Sequence, residues 1–310
     1  MVRFIAVLLT SILLTEPAAN AGLLAPNSAL QCISSIFGRK SSVVSNTKKA
    51  ILNDQAFQEA EKTPWESKNR FFIWRAGFDQ DPNFALRLNQ AASDAVKDLH
   101  SNQLKNATDV LNQLALARNE ITSNKKFGLW RTDPKLSLVT GVTETRYALG
   151  YEKRIRESIL KVRLEDHHTF GSVQTNAWLG LRKIPLTRFN LKAGKIQLLH
   201  TDSAYTKVIM NRVESLFTEA MNQKLPLPKT IDRVAEIHWW LTQLCPFHRG
   251  SASITDAFTK TIFDYRGIET SIWKKELMPD FESFVRPRED FIAHYQEFFV
   301  EPPRLKTDLH

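Results

Sequence analysis

The sequence predicts a mainly α-helical protein, a helical bundle with one small β-hairpin. Apolar residues recur at three- and four-residue spacing over residues 230–244 and again after Ser251, as on the buried face of a helix. Residues 83–100 and 102–121 show the same spacing, and their short polar connection favours an antiparallel helix pair. Between Trp178 and Leu199 the period changes to the alternation of a β-strand.

The composition is that of an ordinary soluble globular protein. Of 310 residues, 43% are hydrophobic and 24% are charged, which excludes a disordered or fibrous chain. The net charge of +9 is spread over short clusters such as Lys48-Lys49 and Lys274-Lys275 and is not gathered in one basic tail. We therefore predict no nucleic-acid partner, and we favour an anionic membrane or an acidic partner over nucleic acid.

The first 21 residues have the parts of a secretory signal peptide. These parts are Arg3, an apolar run over residues 4–14, and the small residues Ala19 and Ala21 before the expected cleavage site. The run is too short for a comfortable membrane span, and no later segment reaches that length. We expect a secreted or periplasmic protein with no integral span after cleavage; the alternative is an uncleaved anchor. Residues 22–45 then form a linker, 46–130 an N-terminal helical part, 131–270 the core, and 271–310 a C-terminal helical extension.

The N-terminal half supplies helices and one loop. Residues 46–62 predict a helix that ends at Thr63-Pro64, and the aromatic residues within 65–78 predict a cover for the core, with ligand stacking as the alternative. Gly128 and Pro134 predict a loop over residues 124–135. Apolar spacing then predicts a helix over residues 143–165.

The C-terminal half supplies the hairpin and the central helices. Alternation over residues 184–199, with a turn at 192–195, predicts the hairpin, and Asp202 or Ser203 then caps a long helix. Prolines 226 and 228 lead into the central helix, which Pro246 ends. Gly250 permits the turn, and Ser251 or Ser253 is expected to cap the next helix. A break at Pro279 and a helix over 288–299 close the prediction.

The order of hairpin, helix, proline-bearing connector, helix, Pro-Phe-x-x-Gly turn and helix resembles the Fic (Fido) family over residues 140–267. The family signature is His-Pro-Phe-x-Asp/Glu-Gly-Asn-Gly-Arg-x-x-Arg, where this chain reads Cys245-Pro246-Phe247-His248-Arg249-Gly250. The resemblance implies a Fic-like bundle whose turn binds nucleotide phosphates and whose hairpin docks the target protein. Cys245 replaces the catalytic histidine and Arg249 replaces the magnesium carboxylate, so ordinary adenylyl transfer is not expected.

The turn also predicts a site from its own chemistry. The N-terminus of a helix attracts anions, so Arg249, Gly250, Ser251 and Ser253 predict binding of a phosphate-bearing ligand. The alternative is that the serines satisfy the helix amides and Arg249 is solvated. A catalytic interpretation makes Cys245 a nucleophile with His238 or His248 as base, although the C-terminal end of a helix disfavours a thiolate.

Neither a metal nor a cofactor is predicted, because no second Cys/His pair matches Cys245 and His248. Whether Cys32 pairs with Cys245 stays open.

Three functions remain open from sequence. The first is an exported binding protein, such as a bacterial secreted effector, that recognises a phosphate-bearing ligand at the turn or a protein partner along the hairpin 184–199. The second is a transferase that modifies a protein with a nucleotide or sugar-nucleotide substrate through a rebuilt site. The third is a structural or surface-interaction protein without a ligand site.

Overall fold

The computed structural model describes residues 84–122, 126–131, 142–145, 161–165, 168–172, 174, 176–192, 195–274 and 277–306. All of them lie in one compact unit, Thr47–His310. Helices account for most of the regular structure, which confirms the predicted mainly α fold. The described α-helices are α1 (Phe84–His100), α2 (Ala107–Thr122), α3 (Thr206–Met221), α4 (Leu227–Leu244), α5 (Ser251–Tyr265), α6 (Pro279–Val285) and α7 (Arg288–His294).

Helix α4 lies at the centre of the helical layer. It packs against α3, α5, α6 and α7, while α1 and α2 pack against each other and against α5. Trp239 and Trp240 are completely buried because neighbouring helices surround α4 on several sides. Each large apolar side chain buried in this way contributes about 1.5–3 kcal/mol to stability. The packing of α4 thus fixes the position at which its C-terminal end meets the turn.

An antiparallel five-stranded sheet accompanies the helices and is larger than the single hairpin that the sequence predicts. Its strand order is β1-β7-β6-β3-β2, formed by β1 (Val142–Thr145), β2 (Lys161–Glu165), β3 (His168–Ser172), β6 (Arg188–Lys192) and β7 (Lys195–Leu199). Strands β6 and β7 pair as the predicted hairpin, with Lys192 opposite Lys195 at its turn. Both strands are interior to the sheet, because β1 flanks β7 and β3 flanks β6.

A second hairpin stands apart from that sheet. Strands β4 (Asn176–Leu179) and β5 (Arg182–Pro185) pair only with each other within the described residues. Ala177 and Ile184 lie opposite each other and are buried, which anchors one face of this hairpin in the main hydrophobic core. The other face is directed outward.

Several helix ends differ from the sequence prediction for local reasons. Helix α2 begins at Ala107 instead of residue 102, because Asn106 accepts a hydrogen bond from the Asp109 amide at 2.8 Å and acts as its cap. Helix α4 begins at Leu227, with Pro228 in its first turn, where a missing amide donor costs nothing. For the same reason Pro279 begins α6 and is not a simple break. The C-terminal helix α7 ends at His294 and continues as the 3-10 turn Tyr295–Phe298.

The predicted helix over residues 143–165 is wrong at both ends. Strands β1 and β2 occupy residues 142–145 and 161–165, because their backbones pair with β7 and β3. The remaining stretch between them lies outside the described residues, as do the predicted signal peptide, linker, helix 46–62 and aromatic segment 65–78. The proposed division of the chain into parts stays a prediction.

Candidate functional site: the turn between helices α4 and α5

Two left-handed residues shape the backbone of the turn. Helix α4 ends at Leu244, and Cys245 follows with φ 46° and ψ 64°. Gly250 immediately precedes α5 with φ 83°. A Cβ atom at Gly250 would lie 2.9 Å from Phe127 Cδ1 and 3.2 Å from Arg118 Cγ, so the site has no room for a side chain. The glycine is therefore required both by its conformation and by its neighbours.

The segment 126–131 runs alongside the turn and holds it through backbone hydrogen bonds. The Gly128 amide donates to the Arg249 carbonyl at 3.1 Å, and the His248 amide donates to the Leu129 carbonyl at 2.8 Å. The Arg131 amide donates to the Pro246 carbonyl at 2.8 Å. The sequence predicts this segment as a loop only, and its strand-like pairing places Arg131 beside the end of α4.

Serine hydroxyls inside the turn are already engaged. Ser251 Oγ accepts from the Phe247 amide at 3.0 Å and donates to the Phe247 carbonyl at 3.1 Å. Ser253 Oγ donates to the Gly250 carbonyl at 3.0 Å and accepts from Arg118 Nε at 2.8 Å. The prediction that Ser251 or Ser253 caps α5 is wrong: Gly250 is the cap residue, and both hydroxyls bond within the turn or to Arg118.

Arg118 is a structural residue of the turn that the sequence alone does not reveal. It lies in α2 and its side chain is 1% exposed. Its guanidinium carbon lies 4.2 Å from the centre of the Phe127 ring and 4.8 Å from that of Phe84. Stacking on two rings and the bond to Ser253 hold the N-terminal turn of α5 against α2.

Arg249 and His248 are the accessible residues of the turn. Arg249 is exposed and His248 is half-buried. Their backbones are fixed by the adjoining segment 126–131, while the Arg249 guanidinium faces solvent. Ligand binding through Arg249, Gly250, Ser251 and Ser253 stays a prediction, as does the predicted role of His248.

Cys245 lies directly after the C-terminal end of α4, where the charges of Arg131 and Asp280 act on it. Burial raises the pKa of its thiol, and the charge of Asp280 adds to this, whereas Arg131 and a hydrogen bond with Ser251 lower the pKa. The raised pKa keeps the side chain protonated at neutral pH, which disfavours the nucleophilic role. Cys245 is a free thiol. Cys32 lies outside the described residues.

His238 has different surroundings, in the aromatic core. Its Nδ1 lies 2.9 Å from the Tyr295 hydroxyl, and Trp273 and Phe291 adjoin its ring. Burial lowers the pKa of His238 to about 3, so the ring is neutral at pH 7. Its Nε2 lies 4.0 Å from Asp256 Oδ1; a neutral ring forms no ion pair, and this distance is too long for a hydrogen bond.

The polar groups beside the His238 ring differ from the groups that act on the Cys245 thiol, which are Arg131, Ser251 and Asp280, so the structure does not bring these two candidates together as a base and its nucleophile. Tyr295 and Asp256 are the polar groups that instead adjoin His238.

The described ranges contain no group of three or more His, Cys, Asp or Glu side chains placed to hold a metal ion. None of the helices described is long and apolar enough to cross a membrane.

The sequence that forms the turn and its surrounding helices is similar to known avirulence proteins. Residues 186–302, from the end of the exposed hairpin through α7, match the model of the AvrB_AvrC family, described as avirulence protein. Among curated proteins, Avirulence protein B of Pseudomonas savastanoi pv. glycinea is 27% identical over 97 residues. That match covers 31% of this chain and 30% of the relative, so the two are compared over less than a third of the relative's length.

These matches correct the resemblance stated from sequence. The turn residues Pro246, Phe247 and Gly250 suggest the Fic (Fido) family, but the family model that matches the same region is that of the avirulence proteins. The Fic/Fido assignment is therefore wrong. The assignment rested on a short motif in which the catalytic and metal-binding residues of the Fic signature are replaced. The match to the avirulence-protein family, by contrast, extends over α3 to α7.

Proposed function

We propose that this protein is a bacterial effector that acts by binding a host protein. The observation that carries the proposal is the avirulence-protein match over residues 186–302, which supports the effector class. An effector has to engage a component of the host, and an exposed apolar surface on a soluble fold is the usual form of a protein-binding site. The described residues offer one such surface on the hairpin β4–β5.

The outward face of the hairpin carries two large apolar side chains. Trp178 is 60% exposed, and Leu181, in the connection between the strands, is 97% exposed. Ile184 on the opposite face is completely buried, so the hairpin is held on the core while its outer face is solvated. Exposed tryptophan is enriched among residues that dominate binding energy at protein interfaces. The buried face therefore anchors the hairpin to the core, and the exposed Trp178 and Leu181 are available for apolar contact with a partner.

Charge indicates the chemistry of the partner. Lys183 lies directly opposite Trp178 in the hairpin register, and both Lys183 and the adjacent Arg182 are exposed. The whole chain carries a net charge of +9. An acidic segment of the host protein would complement these cations while an apolar residue contacts Trp178.

This location revises the docking site expected from sequence. The predicted stretch 184–199 overlaps the exposed hairpin only in its first two residues, and β6 and β7 are interior to the five-stranded sheet. Their edges are occupied by neighbouring strands, so they offer no free edge to a partner. The transferase alternative has less support, because the Cys245 thiol is protonated and His238 is a neutral core residue.

Site-specific photo-crosslinking tests the proposal. p-Benzoylphenylalanine is introduced at position 178, and in a separate protein at Leu116, which is 63% exposed on α2 and serves as the control. We expect a discrete host protein to be crosslinked from position 178 and not from position 116. That protein is then purified, and its dissociation constant is measured with the wild type, Trp178→Ala and Leu116→Ser.

The affinities decide the outcome. Trp178→Ala is expected to weaken binding about thirtyfold, as for an interface hot spot of about 2 kcal/mol, and Leu116→Ser is expected to leave it unchanged. Equal loss in both variants, or no loss in either, contradicts the docking site. Binding to vesicles of phosphatidylcholine and phosphatidylserine that disappears in Trp178→Ala would assign the hairpin to a membrane and overturn the proposal of a protein partner.

A further inference from the structure

A second exposed apolar surface lies where the segment 126–131 runs along helix α2. Leu116 of α2 is 63% exposed, and Leu129 of the segment is 52% exposed. Trp130 follows Leu129 and is half-buried, with its ring packed on that of Phe247 at a centre distance of 4.7 Å. Single exposed leucines are ordinary, whereas leucines that share a surface with a tryptophan are typical of a contact with another molecule.

Two asparagines of α2 place Leu116 next to this segment. Trp130 Nε1 donates a hydrogen bond to Asn112 Oδ1 at 2.7 Å. Asn119 Nδ2 donates to the Phe127 carbonyl at 2.9 Å. Leu116 is four residues after Asn112 and three before Asn119, so these three side chains share one face of the helix. The segment crosses this face, and Leu116 therefore borders it.

The turn places a cation on one side of this surface. The Gly128 amide donates to the Arg249 carbonyl at 3.1 Å, which fixes Arg249 beside the segment. Arg118, which binds Ser253 of the turn, is two residues from Leu116, and residues at this spacing lie on different faces of a helix. Arg249 and Leu116 therefore lie on opposite sides of the segment. Arg249 is exposed and forms no ion pair within the described residues.

Helix α2 places an acid on the other side of the surface. Glu120 is exposed and follows Leu116 by four residues, so it is the neighbour of Leu116 on the helix. The Glu120 carbonyl oxygen lies 3.5 Å from Arg87 Nη2 of α1, so Glu120 is on the side of α2 that faces α1 and not on the side that binds the segment. The apolar side chains are thus flanked by Glu120 on one side and by Arg249 on the other.

We propose that this surface is the contact between two copies of the chain, related by a two-fold axis. Such an axis through the apolar centre places the acidic side of one protomer against the cationic side of the other, so Glu120 of one faces Arg249 of the partner subunit. An apolar surface with opposite charges on its two sides is complementary to itself, and this complementarity favours a second copy over a different protein. The contact shares no residue with the hairpin β4–β5, so it does not rest on host docking and either proposal can fail alone.

Sedimentation equilibrium of the full chain is the first test, because it measures the dissociation constant of the dimer. We expect Leu129→Asp to raise this constant at least about tenfold, because the two-fold axis brings the new carboxylate close to that of the second copy. Leu129 is exposed, so the substitution does not disturb the core. Trp178→Ala on the hairpin is the control and should leave the constant unchanged.

Exchange of the two charges tests the two-fold pairing directly. Arg249→Glu and Glu120→Arg each bring like charges together and are expected to raise the dissociation constant of the dimer about tenfold. The double variant restores opposite charges in reverse order and should return to within about threefold of the wild type. Lys224→Glu, at another exposed position, makes the same change in net charge as Arg249→Glu and should have no effect.

Crosslinking gives a second measurement of the same contact. p-Benzoylphenylalanine at position 116 should join two copies of this chain in the absence of any host protein, and Leu129→Asp should abolish that product. The proposal is overturned if the full chain stays monomeric up to about 100 μM. It is also overturned if Trp178→Ala abolishes the dimer, if Leu129→Asp leaves it intact, or if the double charge variant associates no better than the single ones.

Discussion

At the scale of single residues, both the backbone conformation and the packing of the turn require glycine at position 250. Its φ of 83° is unfavourable for a residue with a Cβ atom, and that atom would also overlap Phe127. Gly267 has a similar φ of 64°, but a Cβ atom there meets nothing within 4 Å. Substitutions at the two glycines therefore distinguish the free-energy cost of the backbone conformation from that of steric overlap.

We predict that Gly250→Ala lowers the free energy of unfolding by about 2–4 kcal/mol, since conformational strain and overpacking add. Gly267→Ala should cost only about 1–2 kcal/mol, because the strain acts alone. Urea denaturation of both variants measures the difference. Equal losses would show that Phe127 and Arg118 yield to the methyl group and that the turn is less tightly held than the contacts indicate.

The same scale shows why the two buried arginines beside the turn could not be recognised from the sequence. Arg118 and Arg131 gain their roles from partners that are distant along the chain, such as Ser253 for Arg118 and the Leu244 carbonyl for Arg131. Nothing in the neighbouring sequence distinguishes them from solvated arginines. Arg249, which stands inside a recognisable motif, is the arginine that sequence reasoning selects, and it is the exposed one.

At the scale of elements, helix α3 supplies a cap to helix α2. The carboxylate of Glu214 in α3 accepts from the amides of Ala107 and Thr108 at 2.8 and 2.9 Å, and from the Thr108 hydroxyl at 2.6 Å. A carboxylate at the N-terminus of a helix satisfies free amides and interacts favourably with the helix dipole. This contact ties the N-terminal helix pair to the central layer.

We predict that Glu214→Ala lowers the free energy of unfolding by about 1–2 kcal/mol, the usual cost of losing a helix cap. Hydrogen exchange at Ala107 and Thr108 should also become faster. Glu219→Ala is the matched control, because Glu219 lies in the same helix and pairs with Arg233 at a partly exposed site, where loss costs about 0–1 kcal/mol. Unchanged exchange at the two amides would argue against the cap.

Elements whose limits are set by local chemistry could be predicted from the sequence. The end of α4 before Pro246, the start of α5 after Gly250 and the hairpin β6–β7 follow from proline, glycine and strand alternation. Strands β1 and β2 could not be predicted, because their pairing with β7 and β3 depends on residues far along the chain. A helical spacing of apolar residues between them favoured the wrong element.

At the scale of the whole molecule, two buried histidines make stability depend on pH. His238 lies in the aromatic core of α4, and His200 lies beside Phe284 of α6. Burial lowers the pKa of each from 6.5 to about 3, with Arg131 adding to the effect at His200. Below pH 6.5 the unfolded chain therefore binds protons that the folded chain excludes. The free energy of unfolding decreases as the pH is lowered from 6.5 to about 3.

We predict that each histidine contributes a loss of about 1.4 kcal/mol per pH unit below pH 6.5. The free energy of urea unfolding is measured between pH 7.5 and 4.5 for the wild type, His238→Gln and His294→Gln. His238→Gln should be less stable at neutral pH, because the bond to Tyr295 is altered, yet its stability should fall less steeply with acid. His294→Gln, at a side chain that is 41% exposed and lies 3.1 Å from Asp290, is the surface control for the loss of a histidine at neutral pH. A wild-type slope in His238→Gln would mean that the core admits a charged ring at position 238, with Asp256, 4.0 Å away, as its counter-ion.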